Sequence, residues 1–362
     1  MKNLFDPYPL GSLTLTSRVV MAPMTRARRP DLVPGPDTAE YYRQRAGAGL
    51  IITEGVFVSP EAQGYADVPG LWTDRQTAGW AGVTEAVHGA GGRIFAQLWH
   101  VGRVSHTSLQ PAGAAPVGPS TLQARASAWI KDVGFVEASV PRALRTDEIP
   151  RVVADFAEAG ARAVQAGFDG VELHGAHGFH LEQFLNPHLN DRTDRYGGSV
   201  ENRARFLLET LDALTDRIGA DRVGVRLSPF TQANDLPADD QAEAMYAYLA
   251  PELARRRPAY VHLSDLRLGG VPNIPETFLK TFRAAYDGTI LLAGGLDRTR
   301  AEELIASDLV DLAVFGRPFI SNPDLVERMR DDLPLAPPDP KTFYGGDTNG
   351  YTDYPRHDGT RP

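Results

Sequence analysis

Cysteine is absent from all 362 residues. That absence removes disulfides, thiolate-ligated zinc, iron–sulfur clusters and every thiolate nucleophile. Lysine is scarce, limited to Lys2, Lys131, Lys280 and Lys341. None of these ends an expected strand, which leaves Schiff-base chemistry little room. No apolar run approaches the roughly 18 residues that read as a membrane span, and the start "MKNLFDPYPLGS" lacks the apolar stretch of a secretory signal. Positive charge is not in excess either. The net charge of -9 opposes a nucleic-acid or anionic-membrane partner, both of which need a concentrated basic face. A soluble, cytoplasmic protein acting on small molecules is the expectation.

What is present is a repeating alternation. The apolar runs "RVVMAP", "GLIITE", "RIFAQL", "FDGVELH", "RVGVRLS", "AYVHLS", "TILLAG" and "DLAVFG" are continuous rather than alternating, as parallel strands buried on both faces should be. Amphipathic stretches such as "IPRVVADFAEAGARAVQAG" separate them. Eight strands alternating with helices predict a single (β/α)₈ barrel domain spanning 1–362. A doubly wound sheet fits less well, because no Gly-rich dinucleotide turn follows the first strand. Two short extended pieces before Arg18 predict a hairpin closing the barrel floor. Residues 101–145 form a long insertion after strand three with no strong period, and such insertions are usually functional, often lids. The aromatic tail 335–362 is expected to fold near the site.

In such a barrel, chemistry gathers at the C-terminal ends of the strands. Those ends carry "APMTR", "TEG", "QLWH", "HGAHGFH", "RLSPF", "AGGL" and "FGRPF". Gly294 and Gly295 after strand seven, with Gly316 and Arg317 after strand eight, can be simple turns. Together they match the habitual phosphate-binding loops of barrels. Arg226, ending strand five, is either a structural ion-pair partner or a cation aimed into the mouth. His174, His177 and His180 are spaced like metal ligands. Only His174 sits at the strand end, and no carboxylate joins them, so a pair of neutral imidazoles stabilising an oxyanion suits the pattern better. No metal is expected.

Several of these segments, with "NDRTDRYGGSVENRARF" and the late "FYGGDTNGYTDYP", resemble the Old Yellow Enzyme family of FMN-dependent ene-reductases over essentially the whole chain. The resemblance implies non-covalent FMN at the barrel mouth and NAD(P)H as reductant. It implies that Pro23, Met24 and Thr25 lie along the isoalloxazine, with the Thr25 hydroxyl near its reactive edge. Gly55 would admit the ring to the backbone, Gln97 would bond its pyrimidine side, and Arg226 would stabilise negative charge there. Gly294, Gly295, Gly316 and Arg317 would hold the phosphate. Trp99, Phe179 and Tyr351 would line the substrate side. Threonine at position 25, where one branch of the family carries cysteine, places the chain with the threonine branch.

The implied reaction is ping-pong hydride transfer from NAD(P)H through FMN to an activated alkene. His174 and His177 would hold the carbonyl or nitro oxygen of the α,β-unsaturated substrate. In most of the family a tyrosine two residues after the second donor protonates the α-carbon; here that position is Phe179. Water, Tyr351 or His180 would have to serve instead. The alternatives are a flavin-binding barrel with weak alkene turnover, acting mainly on nitro compounds, and a non-flavin barrel acting on a sugar phosphate. A monomer or homodimer is expected.

Overall fold

The computed structural model describes residues 2–265 and 274–358. Each of the eight apolar runs forms a strand. They are β1 (Val19–Met21), β2 (Leu50–Phe57), β3 (Ile94–Trp99), β4 (Gly170–Gly175), β5 (Val223–Leu227), β6 (Tyr260–Ser264), β7 (Ile290–Ala293) and β8 (Leu312–Phe315). All neighbours pair in parallel, and β8 closes on β1. Every residue of these strands is buried, because helices cover the outside while side chains fill the inside. The chain therefore folds as the expected (β/α)₈ barrel.

The helices show why the outside is dry. In Ile149–Gln165 the residues Val152, Phe156, Ala159, Gly160 and Ala163 face inward at helical spacing. Gly160 is needed there, since a Cβ would lie 2.5 Å from Leu214 of the neighbouring helix Val200–Ile218. That neighbour starts at Ser199, whose hydroxyl accepts from the Asn202 N–H, and stops at Gly219 with φ 93°.

The expected N-terminal hairpin is present, with Tyr8–Leu10 antiparallel to Leu13–Leu15. Its Leu10 and Leu15 are fully buried in one cluster with Val20, Leu50, Phe95 and Tyr260 of the barrel interior. They plug the floor. The insertion is more ordered than its composition predicts. It holds an antiparallel hairpin, Ser127–Ile130 with Gly134–Glu137, and a short parallel pair, Val117–Gly118 with Arg142–Ala143. The hairpin turns through Asp132 at φ 62° and Gly134 at φ 101°, a left-handed reversal that reads as loop in the sequence.

The motif "NDRTDRYGGSVENRARF" is largely architectural. Arg203 donates to the Leu185 carbonyl at 2.9 Å and Asn190 Nδ2 donates to the carbonyls of Phe184 and Tyr196, both at 2.7 Å. These bonds fix the short helix His180–Leu185 directly behind the end of β4. In the expected tail, residues 359–362 lie outside the described residues.

Candidate active site

β4 and β5 run in register, which sets His174 beside Arg226, and β6 continues the row with His262. Two residues earlier on β4, and so on the same face, Glu172 lies opposite Gln97 of β3. The carboxylate of Glu172 is wholly buried and fully engaged. It accepts from Gln97 Nε2 at 2.7 Å and Tyr260 Oη at 3.2 Å, and lies 2.8 Å from His262 Nδ1. Burial alone would raise its pKa; the facing His262, the charge of Arg226 and the Gln97 amide outweigh burial and hold it below the usual range. Arg226 thus has a counter-charge in the floor of the site. Because an ionised carboxylate only accepts, Gln97 must turn its nitrogen to Glu172, leaving its carbonyl oxygen for the cavity.

Above this floor, His174 and His177 sit edge to face with centroids 5.6 Å apart. Burial, then the nearby Arg226 cation, holds both far below the ordinary histidine pKa. Both rings are neutral at neutral pH and each has one N–H to donate. His177 has φ 60°, a conformation that a non-glycine residue adopts only under constraint. The constraint is visible. Its N–H donates to Ser228 Oγ at 2.7 Å, and its carbonyl accepts from Asn234 Nδ2 at 2.9 Å. Ser228 in turn donates to Glu182 at 2.7 Å, and Glu182 also accepts from the Gly178 N–H at 2.6 Å. Burial pushes the Glu182 carboxyl up to about 8.

The loop after β1 is held by a second buried acid. Glu54 of β2 accepts from the Arg26 and Ala27 N–H groups at 3.0 and 3.3 Å. Arg26 then reaches the tail, donating to the carbonyls of Phe343, Thr342 and Gly350. Arg28 donates to Thr342 and Asn349. Tyr351 serves this anchoring. Its ring stacks on Tyr41 at 4.2 Å, with the guanidinium groups of Arg26 and Arg28 5.2 and 4.6 Å from its centroid. At 1% exposure it is sealed away from the cavity, and the aromatic residues that the tail delivers to the cavity are Phe343 and Tyr344.

These elements enclose a cavity of about 1390 Å³, larger than the roughly 300–1,000 Å³ of a usual single-ligand site. Pro23, Met24, Thr25, Gln97, Trp99, His174, His177, Phe179 and Arg226 all line it, as do Gly294, Gly295, Gly316 and Arg317. Gly294 has φ 144°, and a Cβ there would strike the Asp265 backbone at 2.5 Å. Gly55 does not line the cavity. It makes room for Trp99 instead, whose ring lies 2.3 Å from where a Cβ would be. Trp99 stacks between Phe57 at 5.0 Å and Tyr65 at 5.5 Å, with Phe179 edge-on at 4.9 Å. Tyr65, and Trp129 and Phe135 from the insertion hairpin, are wall residues that sequence reasoning does not find. His180 lies outside the cavity, stacked on His100 at 4.3 Å, so the three histidines do not converge.

The NADH:flavin oxidoreductase / NADH oxidase family model matches residues 3–336. The chain belongs to that family, the Old Yellow Enzymes. It is 46% identical over 359 residues to 12-oxophytodienoate reductase 1 of Oryza sativa subsp. japonica, covering 97% of this chain and 92% of that protein. It is 42% identical to 12-oxophytodienoate reductase 2 of Arabidopsis thaliana, covering 99% and 96%. The structure of morphinone reductase in complex with tetrahydroNAD superposes with a TM-score of 0.95 at 51% identity, covering 98% of both chains. The Old Yellow Enzyme homologue from Zymomonas mobilis gives 0.94 at 39% identity, covering 98% and 99%. The protein is an FMN-dependent oxidoreductase with a nicotinamide reductant. Among its described residues, no helix is long and apolar enough to cross a membrane.

Two outcomes follow for this Old Yellow Enzyme from its buried charges. His100, His174, His177, His180 and His262 all have folded-state pKa values depressed by burial. Below the unfolded value of about 6.5 the unfolded chain binds more protons, so stability falls with pH by up to about 1.4 kcal/mol per unit per histidine. Glu182, with its raised pKa, opposes this with a single proton. Thermal unfolding at successive pH values should show a falling Tm between about pH 6.5 and 5; a flat or rising Tm contradicts the assignment. Second, Glu172→Gln removes the counter-charge of Arg226 and should cost about 3 kcal/mol in urea unfolding. A loss below about 1 kcal/mol would mean that Arg226 is compensated elsewhere.

Proposed function

We propose that the protein reduces activated C=C bonds of α,β-unsaturated carbonyl and nitro compounds, with NADH or NADPH as electron donor, in a ping-pong cycle. The observation that carries this reading is the pair of neutral, immobilised imidazoles at the end of β4. They face one cavity together with a buried, charge-balanced arginine. Similarity to proteins named for reducing 12-oxophytodienoate and morphinone supports enones as the substrate class.

The residues present fit FMN. Arg226 Nε and Trp99 Nε1 are buried donors with no hydrogen-bond partner among the described residues. Gln97 offers a bare carbonyl oxygen, the complement of an imide N–H. On this reading Pro23, Met24 and Thr25 flank the ring system, while Gln97 and Arg226 bind its pyrimidine side. Gly294, Gly295, Gly316 and Arg317 hold the phosphate. Bound there, FMN would supply the hydride-transfer chemistry between the nicotinamide and the alkene.

The protein's own part is electrostatic. His174 and His177 donate to the carbonyl or nitro oxygen, where negative charge grows as the β-carbon takes hydride; one such donor is commonly worth about 10²–10³ in rate. Neutral imidazoles suit this role, since neither takes up a proton beforehand. Trp99, Tyr65 and Phe179 form an apolar wall that keeps water from the oxygen. Insertion residues Trp129 and Phe135 and tail residue Tyr344 flank the mouth.

The final proton must reach the α-carbon, and Phe179 has none to give. Neither Tyr351 nor His180 lines the cavity, which removes both as donors, and on this reading the proton comes from solvent entering at the mouth. The arrangement favours nitroalkenes, whose reduction can stop at the nitronate without protonating that carbon. The variant Phe179→Tyr should therefore raise enone turnover about tenfold, below the ~10²–10⁴ that positioned acids supply, while nitroalkene turnover changes little. An equal change on both substrates would show that carbon protonation does not limit the enone reaction. The function itself is tested anaerobically. A yellow holoprotein should bleach with NADH or NADPH and recover its colour on addition of cyclohexenone. Bleaching without recovery would leave a flavin-binding protein that does not reduce enones.

A further inference from the structure

Ser264 ends β6 with 3% exposure and touches both kinds of donor in the site. Its Oγ is 3.0 Å from Arg226 Nη2 and 2.8 Å from His177 Nε2. The polarity of the first contact is fixed, because a guanidinium has only donors; Ser264 accepts there. The hydroxyl hydrogen then needs an acceptor, and among the described residues His177 Nε2 is the one in contact with it. His177 is neutral, held so by burial and by the same Arg226. A neutral imidazole that accepts at Nε2 carries its proton on Nδ1. Ser228 and Asn234 fix the His177 backbone on either side of its Cα, and the contact with Ser264 holds the ring itself.

From these contacts we infer that Ser264 is a positioning residue that sets the tautomer of His177. Arg226 polarises the serine hydroxyl, the hydroxyl donates to Nε2, and the Nδ1–H is presented to the cavity. The opposite tautomer would aim a lone pair at the substrate oxygen and repel it. The charge under the site thus reaches the substrate twice: directly as a cation, and through Ser264 as the direction of one hydrogen bond. This inference rests on the oxyanion role proposed above for His177, and the test separates the two.

The holoprotein, labelled with ¹⁵N-histidine, should show His177 as the Nδ1–H tautomer by its two-bond nitrogen–proton couplings, with the signal assigned by its loss in His177→Gln. Ser264→Ala should convert the signal to a mixture or to Nε2–H, whereas Ser264→Thr, which keeps the hydroxyl, should preserve it. Binding of a para-substituted phenol, a stable mimic of an enolate oxygen, should weaken about tenfold in Ser264→Ala and recover in Ser264→Thr. The alkene step should slow by a similar factor, with KM for the nicotinamide changed less. An Nε2–H tautomer in the unmutated protein, or one unmoved by Ser264→Ala, overturns the inference. A correct tautomer shift in a protein that neither binds the phenol nor reduces enones would instead overturn the proposed function and leave the tautomer assignment standing.

Discussion

A guanidinium buried at the mouth of a barrel needs a counter-charge, and here the compensation dictates much else in the site. Desolvating an isolated cation costs several kcal/mol, and Arg226 is buried to 6% exposure. Glu172 balances it from the neighbouring strand, with both its oxygens committed to buried partners. That commitment orients Gln97, ties up Tyr260 and His262, and fixes which atoms the floor presents upward. The charge of Arg226 also helps to keep His174 and His177 uncharged. One ion and its compensation therefore add to burial in keeping the two imidazoles neutral, and set the direction of the amide beneath them.

Buried carboxylates recur as the means of holding loops. Glu54 clamps the turn after β1 through two backbone N–H groups, and Glu182 clamps the turn after β4 through Gly178 and Ser228. Both turns contain a non-glycine residue at positive φ, Ala27 and His177. Such conformations persist only where surrounding bonds over-determine them. The two acids act differently in charge. Glu182 has no cation against it and holds its proton to about pH 8, so it fixes geometry without adding negative charge beside the donor pair.

The barrel was legible because its strands are buried on both faces and so read as unbroken apolar runs, each flanked by a helical period. The strand-end residues were legible because barrel topology says where such ends must meet. What sequence reasoning does not reach depends on long-range contacts. Tyr344 and Tyr351 stand seven residues apart in the same turn-rich tail, with no period to say which faces inward. Their places are decided by Arg26 and Arg28, more than 300 residues earlier, which grip the tail's carbonyls and stack on Tyr351. The insertion hairpin is hidden for a local reason: two four-residue strands around a left-handed turn carry too little pattern. Glu182 did leave a signal, a carboxylate within the apolar stretch "HLEQFL". Ser264 left only its position at the end of strand six.

Phe179 is more than a missing phenol. Its ring stands edge-on to both Trp99 and His174, at centroid distances of 4.9 and 5.3 Å, and so belongs to the apolar surface that desolvates the first imidazole. A hydroxyl at that position would bring an acid within reach of the α-carbon and also a polar group beside His174. Polarising the substrate oxygen and protonating the carbon are separate tasks; Phe179 aids the first by drying the imidazole and has no proton for the second. On the proposed reading the protein has kept the first task on rigid, buried groups, where preorganised dipoles act most strongly. The second is left to solvent at the open end of the cavity. Substrates that need no proton at carbon gain most from that division, because for them the dry wall helps and the absent acid costs nothing.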